Sequence, residues 1–187
     1  MKTIDIRLKT NEIDMLRAMI GREFSAYLHD EFQYTQSSSQ AVAIIIGNES
    51  YYIYSFTEEN DYFGSTEDVA VWSVSDEKYP IIDSKTFTRT PINETIKAIT
   101  LVQENQRVYD GNEQIYDVWL TRGIIFDFGD RQVAFEKDIW FSEEIIVHRG
   151  YELIEHFASV NDFGNDWEKS LKTECSRINE EIKLDAN

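Results

Sequence analysis

The sequence predicts an α+β domain in which a central, mainly antiparallel sheet carries N-terminal and C-terminal helices packed on it. Three observations lead there. Apolar residues alternate with a period of two through the middle of the chain. Near both ends they recur at steps of three and four. No regular βαβ alternation separates the strands. The 187 residues fit one domain spanning 1–187, with residues 1–35 forming a small strand–helix appendage. At 42% hydrophobic residues the chain has enough apolar mass for a core, which excludes an intrinsically disordered chain.

The elements follow in order. Ile4, Ile6 and Leu8 alternate with polar residues and read as a short strand. Thr10 or Asn11 then caps a helix whose stripe runs through Ile13, Leu16, Ile20, Phe24 and Tyr27. The serines between Gln36 and Gln40 make a loop. Ala41 to Ile46 and Tyr51 to Phe56 form a hairpin about Gly47-Asn48-Glu49-Ser50, and Val69 to Val74 adds a third strand. Pro80 and Pro91 bracket a less regular connection, with Pro91 near the start of a short strand or helical turn.

Ile96 to Val102 and Gln106 to Tyr109 suggest one bent strand. Tyr116, Val118 and Leu120 lead through Ile124, Phe126 and Phe128 to a turn at Gly129-Asp130. Val133 to Phe135 then returns as the second arm of a hairpin. Tyr151 to Phe157 reads as a short helix. Asn165 and Glu168 have the spacing of a capping box for a last helix, whose stripe is Trp167, Leu171, Cys175, Ile178 and Ile182.

Charge dominates the composition. Thirty-five acidic residues against eighteen basic ones leave a net charge of −17. Such a field repels phosphate backbones and anionic membrane surfaces, so neither direct nucleic-acid binding nor membrane association is expected. It attracts basic proteins and speeds their encounter, although acidity also serves solubility alone. The lone Cys175 cannot close an internal disulfide, the start of the chain lacks a signal-peptide core, and no apolar run spans a bilayer. A cytoplasmic location in a bacterial host cell follows as the expectation.

No phosphate loop, zinc cysteine pair, HExxH or GxSxG element is present, so we expect no catalytic residue, no metal site and no cofactor. Cys175 reads as a small buried hydrophobe on the last helix. His29, beside Asp30 and Glu31, and the pair His148 and His156 lack the spacing for one metal ion. Two carboxylate clusters would suit a metal-dependent nuclease: Asp76-Glu77-Lys78 with Asp61 or Asp68, and Asp127, Asp130, Glu136 and Asp138 about the Gly129 turn. A chain with this many acids produces such groupings by coincidence.

The acidic loop is the stronger candidate. Glu58, Glu59, Asp61, Glu67 and Asp68 lie close together and interleave with Tyr62 and Phe63. Carboxylates along an exposed loop can stand in for phosphates, and aromatic rings anchor interfaces. These seven are the predicted partner-binding residues. A second acidic and aromatic stretch runs from Glu136 to Glu144 through Trp140 and Phe141.

The segment Phe135-Glu136-Lys137-Asp138-Ile139-Trp140-Phe141-Ser142-Glu143-Glu144-Ile145, followed by Arg149-Gly150-Tyr151, resembles small mobile-element proteins of Gram-positive bacteria, their phages and plasmids. Some of those are anti-CRISPR inhibitors of RNA-guided nucleases. The resemblance spans Gly123 to Trp167 and carries no catalytic signature. It implies an inhibitor of a nuclease that holds nucleic acid in a positive channel. Charge and resemblance together predict an acidic inhibitor that binds and blocks a basic nucleic-acid-handling protein, an RNA-guided nuclease in the most specific form. The alternatives are a metal-dependent nuclease acting on RNA or DNA, an immunity protein against a basic toxin, and a housekeeping acidic domain.

Overall fold

The structure, a computed structural model, describes residues 3–30, 37–62, 65–78 and 87–183. In chain order the elements are β1 (Ile4–Ile6), α1 (Thr10–Arg17), β2 (Glu23–Asp30), β3 (Ser37–Ser39), β4 (Ala41–Ile46), β5 (Glu49–Tyr62), β6 (Ser65–Ser75) and β7 (Phe87–Thr95). They continue with β8 (Ala98–Asp110), β9 (Glu113–Asp127), β10 (Gln132–Lys137), β11 (Glu144–Gly150) and β12 (Lys172–Glu181), with short 3-10 turns at Leu153–His156 and Asp162–Asp166 before β12. The fold is mostly β, which corrects the expected α+β class with a helix at each end. Five strands form one sheet in the order β6-β5-β4-β2-β7. Seven form the other, in the order β12-β8-β9-β10-β11-β3, with β1 pairing in parallel to β9 beyond the point where β10 leaves it.

The predicted N-terminal helix is cut short. α1 ends at Arg17, and Gly21 takes a left-handed φ of 83° that turns the chain into β2. Phe24 and Tyr27, which shared a helical stripe with Leu16 in the sequence, belong to a strand whose inward face they share because of the register slip between Phe24 and Ala26. The cap also differs. Lys9 is the N-cap, and buried Glu12 reaches back to accept its backbone N–H at 2.6 Å. The other Glu12 oxygen accepts the Val74 N–H at 3.1 Å, so one carboxylate both starts α1 and fastens it to β6.

The predicted C-terminal helix is a strand. β12 pairs antiparallel with β8 from Lys172↔Tyr109 to Glu181↔Thr100. Thr173, Cys175 and Arg177 take the half-buried alternate positions, while Ile178, a member of the helical stripe, is 53% exposed. The steps of four and three were a coincidence of spacing. The open edge of β8 offers a row of backbone partners, and that ladder outweighs local propensity.

Other expectations hold in detail. β4 and β5 form the hairpin about Gly47, and β9 and β10 the hairpin about Gly129. β8 is bent, with register slips at Val102/Gln103 and Val108/Tyr109. Leu153–His156 forms the short helical turn expected there. Pro91 lies within β7, an edge strand, opposite the register slip in β2 between Phe24 and Ala26, where a missing N–H does the least damage. Pro80 falls outside the described residues.

One core cluster joins the sheets and the helix. Phe24, Val42, Ile44, Ile53 and Trp72 come from the five-stranded sheet, Leu101, Ile124, Phe126, Phe135 and Ile145 from the seven-stranded sheet, and Leu16 and Met19 from α1 and its C-terminal extension. Edge-on ring pairs cross the interface, Phe24 to Phe126 at 5.2 Å and Tyr27 to Phe135 at 5.8 Å.

Candidate functional site

The acidic loop is an arm of β-structure. β5 and β6 stay paired from Tyr52↔Ser75 out to Tyr62↔Ser65, whereas β4 accompanies β5 only as far as Tyr54. Beyond that point the hairpin is a two-stranded ribbon. Three hydrogen bonds hold its base. The Glu143 carboxylate accepts the Thr57 backbone N–H at 2.8 Å and its hydroxyl at 2.7 Å, and the Trp140 carbonyl accepts the Ala70 N–H at 2.9 Å. Val69 packs with Ile4, Ile6, Val118, Leu120 and Trp140 in a second apolar cluster. Trp140 is therefore 4% exposed and serves the core, whereas Phe141 is 50% exposed.

Past this base the arm carries the predicted residues. Glu58, Glu59 and Asp68 are exposed. Glu59 stands directly opposite Asp68, and Glu58 opposite Val69. Like charges directly across a ladder are destabilising. No ion pair to a lysine or arginine reaches these three carboxylates among the described residues. Asp61 and Tyr62 lie on β5 opposite Thr66 and Ser65, and Glu67 on β6 opposite Asn60. Phe63 lies outside the described residues.

The nuclease clusters are taken apart. Asp127 and Asp130 sit at one end of β10, Glu136 and Asp138 at the other. Asp127 uses one oxygen on the Gly129 N–H at 2.6 Å and the other on Gln132 at 2.7 Å, which closes the turn. Glu136 is buried and saturated. One oxygen accepts Arg122 Nε at 3.0 Å, Arg122 Nη2 at 2.8 Å and the Ala158 N–H at 2.9 Å, and the other lies 2.7 Å from His148 Nε2. Burial pushes the Glu136 carboxyl up, but His148, the Arg122 charge and the Ala158 N–H outweigh it and leave the group below its ordinary range. Asp76, Glu77 and Lys78 are all exposed after β6. No group of three or more His, Cys, Asp or Glu side chains gathers as a cation site among the described residues.

Sequence reasoning missed the polar interior. The bulge that places Gln103 opposite Thr121 and Val102 opposite Gly123 leaves Arg122 as the extra residue and turns it toward Glu136. A second, partly buried pair, Glu104 and Arg177 at 2.9 Å, is joined to the first through the backbone of a single residue. The N–H of Ala158 goes to Glu136, and its carbonyl accepts Arg177 at 2.6 Å. Cys175 lies 3.7 Å from Glu104, and burial, reinforced by that negative charge, pushes its thiol up to about 12. It stays protonated and is a poor nucleophile, although it sits on a strand and not on the expected helix. Gly123 fits here because any Cβ would stand 2.4 Å from the Phe157 ring, which stacks on His148 at 5.4 Å.

Lys137 is the other surprise. Its side chain is fully buried. Nζ donates to the Ala70 carbonyl at 2.7 Å and lies 5.4 Å from the Trp72 ring centre. Burial, with the Arg122 charge nearby, pulls its ammonium down to about 7. Alternation along β10 could have flagged it, since Val133, Phe135 and Lys137 share a parity.

His29 is on β2, His148 on β11 and His156 on the Leu153–His156 turn, so the last two share no helix face. No helix among the described residues is long and apolar enough to cross a membrane. Comparison with protein-family models, with curated proteins and with solved structures found no match.

Proposed function

We propose that this protein is an acidic inhibitor that binds and blocks a basic nucleic-acid-handling protein, and that the β5–β6 arm is the part that engages it. The observation that carries this reading is the set of exposed carboxylates on the arm, Glu58, Glu59 and Asp68, which have no ion pair among the described residues, with Glu59 facing Asp68 across the ladder. A repulsive pair on a marginal two-stranded ribbon costs stability, and a partner's cations would relieve it. In its most specific form the target is an RNA-guided nuclease. Support for that form comes from the resemblance between Gly123 and Trp167, whose loop from Asp138 to Glu143 braces the base of the arm through Trp140 and Glu143. The same reading places the protein in the cytoplasm of a bacterial host. The nuclease alternative is disfavoured because Asp127 and Glu136 are committed to internal hydrogen bonds.

The test is capture of partners from the native host by wild-type protein and by the triple variant Glu58→Lys, Glu59→Lys, Asp68→Lys. A basic nuclease retained by the wild type, lost by the variant and released between about 50 and 500 mM salt supports the reading. Equal capture by both proteins removes the arm from the interface.

A further inference from the structure

A second site lies away from the arm, where the two sheets part at one end. β2 and β7 of the five-stranded sheet face β10 and β11 of the seven-stranded sheet across a cleft of about 580 Å3. That volume falls in the range of small-molecule sites. Its chemistry runs against the rest of the chain. Among the described residues Arg131, Arg149 and His29 line it and no carboxylate does, the Glu94 ion pair to Arg131 lying outside the lining, although the chain carries 35 acidic residues. A smaller cavity elsewhere, of about 150 Å3, is lined by Glu104, Asp138 and Asp162 together with Arg122.

The two arginines are prepared differently. Arg131 Nη2 is anchored by the Ile92 carbonyl and by Glu94, both at 2.9 Å, so its guanidinium is held in place before any ligand arrives. Arg149 is exposed and has no ion pair among the described residues. It stands on β11 opposite Val133, two residues beyond Arg131, so both cations border the same stretch of the β10–β11 pair.

Flat surfaces accompany them. Tyr27 and His29 lie in a tilted stack, with centroids 5.7 Å apart, along the β2 wall. At the lip Tyr151 is 70% exposed, its ring flanked by Gly150 at φ 149° and Glu152 at φ 50°. A left-handed glutamate costs roughly 1 kcal/mol, and such strain is retained where the surroundings require one geometry. Here it holds a large ring out in water beside a cationic cleft.

We propose that this cleft binds a small oxyanion that carries a flat ring. Arg149 and the fixed Arg131 take the anionic group, and Tyr151 closes over the ring against the Tyr27–His29 wall. Mononucleotides and aromatic carboxylates share this chemistry. The site is independent of the arm and does not rest on the inhibitor reading.

The experiment uses the full chain with isothermal calorimetry and thermal shift at low salt. The probes are the four ribonucleoside monophosphates, 4-hydroxybenzoate, adenosine and inorganic phosphate. Arg149→Ala, Arg149→Glu and Tyr151→Ala alter exposed side chains and leave the core intact. At least one ring-bearing anion should bind, with adenosine and phosphate each at least tenfold weaker, and every variant should weaken that binding tenfold or more. Preference for the monophosphates over 4-hydroxybenzoate, or the reverse, identifies the source. No binding by any ring-bearing anion at millimolar concentration overturns the proposal. So does adenosine matching the monophosphates, or binding unchanged in Arg149→Glu and Tyr151→Ala.

Discussion

At the scale of the residue, Lys137 is the readiest to test although its side chain is fully buried. Its ammonium is lowered from an ordinary 10.5 to about 7, so between those values the unfolded chain holds a proton that the native state does not. Native stability therefore rises with pH across that window, and below about pH 7 the buried charge weighs fully against folding. Urea unfolding at pH 7 and 9.5 should show this group adding about 2–3 kcal/mol at the higher pH, and Lys137→Met should abolish that increment. Glu136 acts in the opposite range. Its carboxyl is held below the usual value, so the stability it contributes is present above about pH 4.5 and lost as acid titrates it. Gly123→Ala drives a methyl into the Phe157 ring and the Phe135 carbonyl, and should lower stability by about 1–3 kcal/mol in denaturant titration, with the native fold retained.

At the scale of the element, the β5–β6 arm sets stability against binding. Glu59→Lys converts the repulsive pair with Asp68 into an attractive cross-strand pair, so thermal denaturation should show a variant more stable by about 0.2–1 kcal/mol. The same change should weaken capture of a basic partner. A variant that is less stable, or equally stable with binding intact, would mean that Glu59 and Asp68 do not repel each other in the free protein. Functional surfaces commonly retain groups that stability alone would remove.

At the scale of the whole molecule, the excess of 17 negative charges repels itself in the folded state. Raising sodium chloride from about 10 to 150 mM shortens the Debye length from ~30 Å to ~8 Å. The melting temperature should therefore rise by a few degrees over that interval, while affinity for a basic partner falls. Opposite signs for these two responses separate self-repulsion from partner attraction in one titration. A melting temperature that falls with salt would instead make the internal pairs, Arg122 with Glu136 and Arg177 with Glu104, the dominant electrostatic contribution.

Sequence by itself determined β4, β5, β6, β8, β9 and β10, the hairpins at Gly47 and Gly129, the bend in β8 and the acidity of the β5–β6 segment, but not β7 or β11. Each depends on neighbours a few residues away: alternation, a turn glycine, a run of carboxylates. Tertiary structure alone decided that residues 172–181 form a strand, because their ladder partner is β8, some seventy residues earlier. It also decided that Phe24 and Tyr27 leave the helical stripe, and that the acidic loop is a braced arm. The Arg122–Glu136–Ala158–Arg177–Glu104 chain and the Arg131–Arg149 cleft were illegible for the same reason. Their members come from different strands of the seven-stranded sheet and the turns beside it, and only its long-range strand pairing brings those charges together.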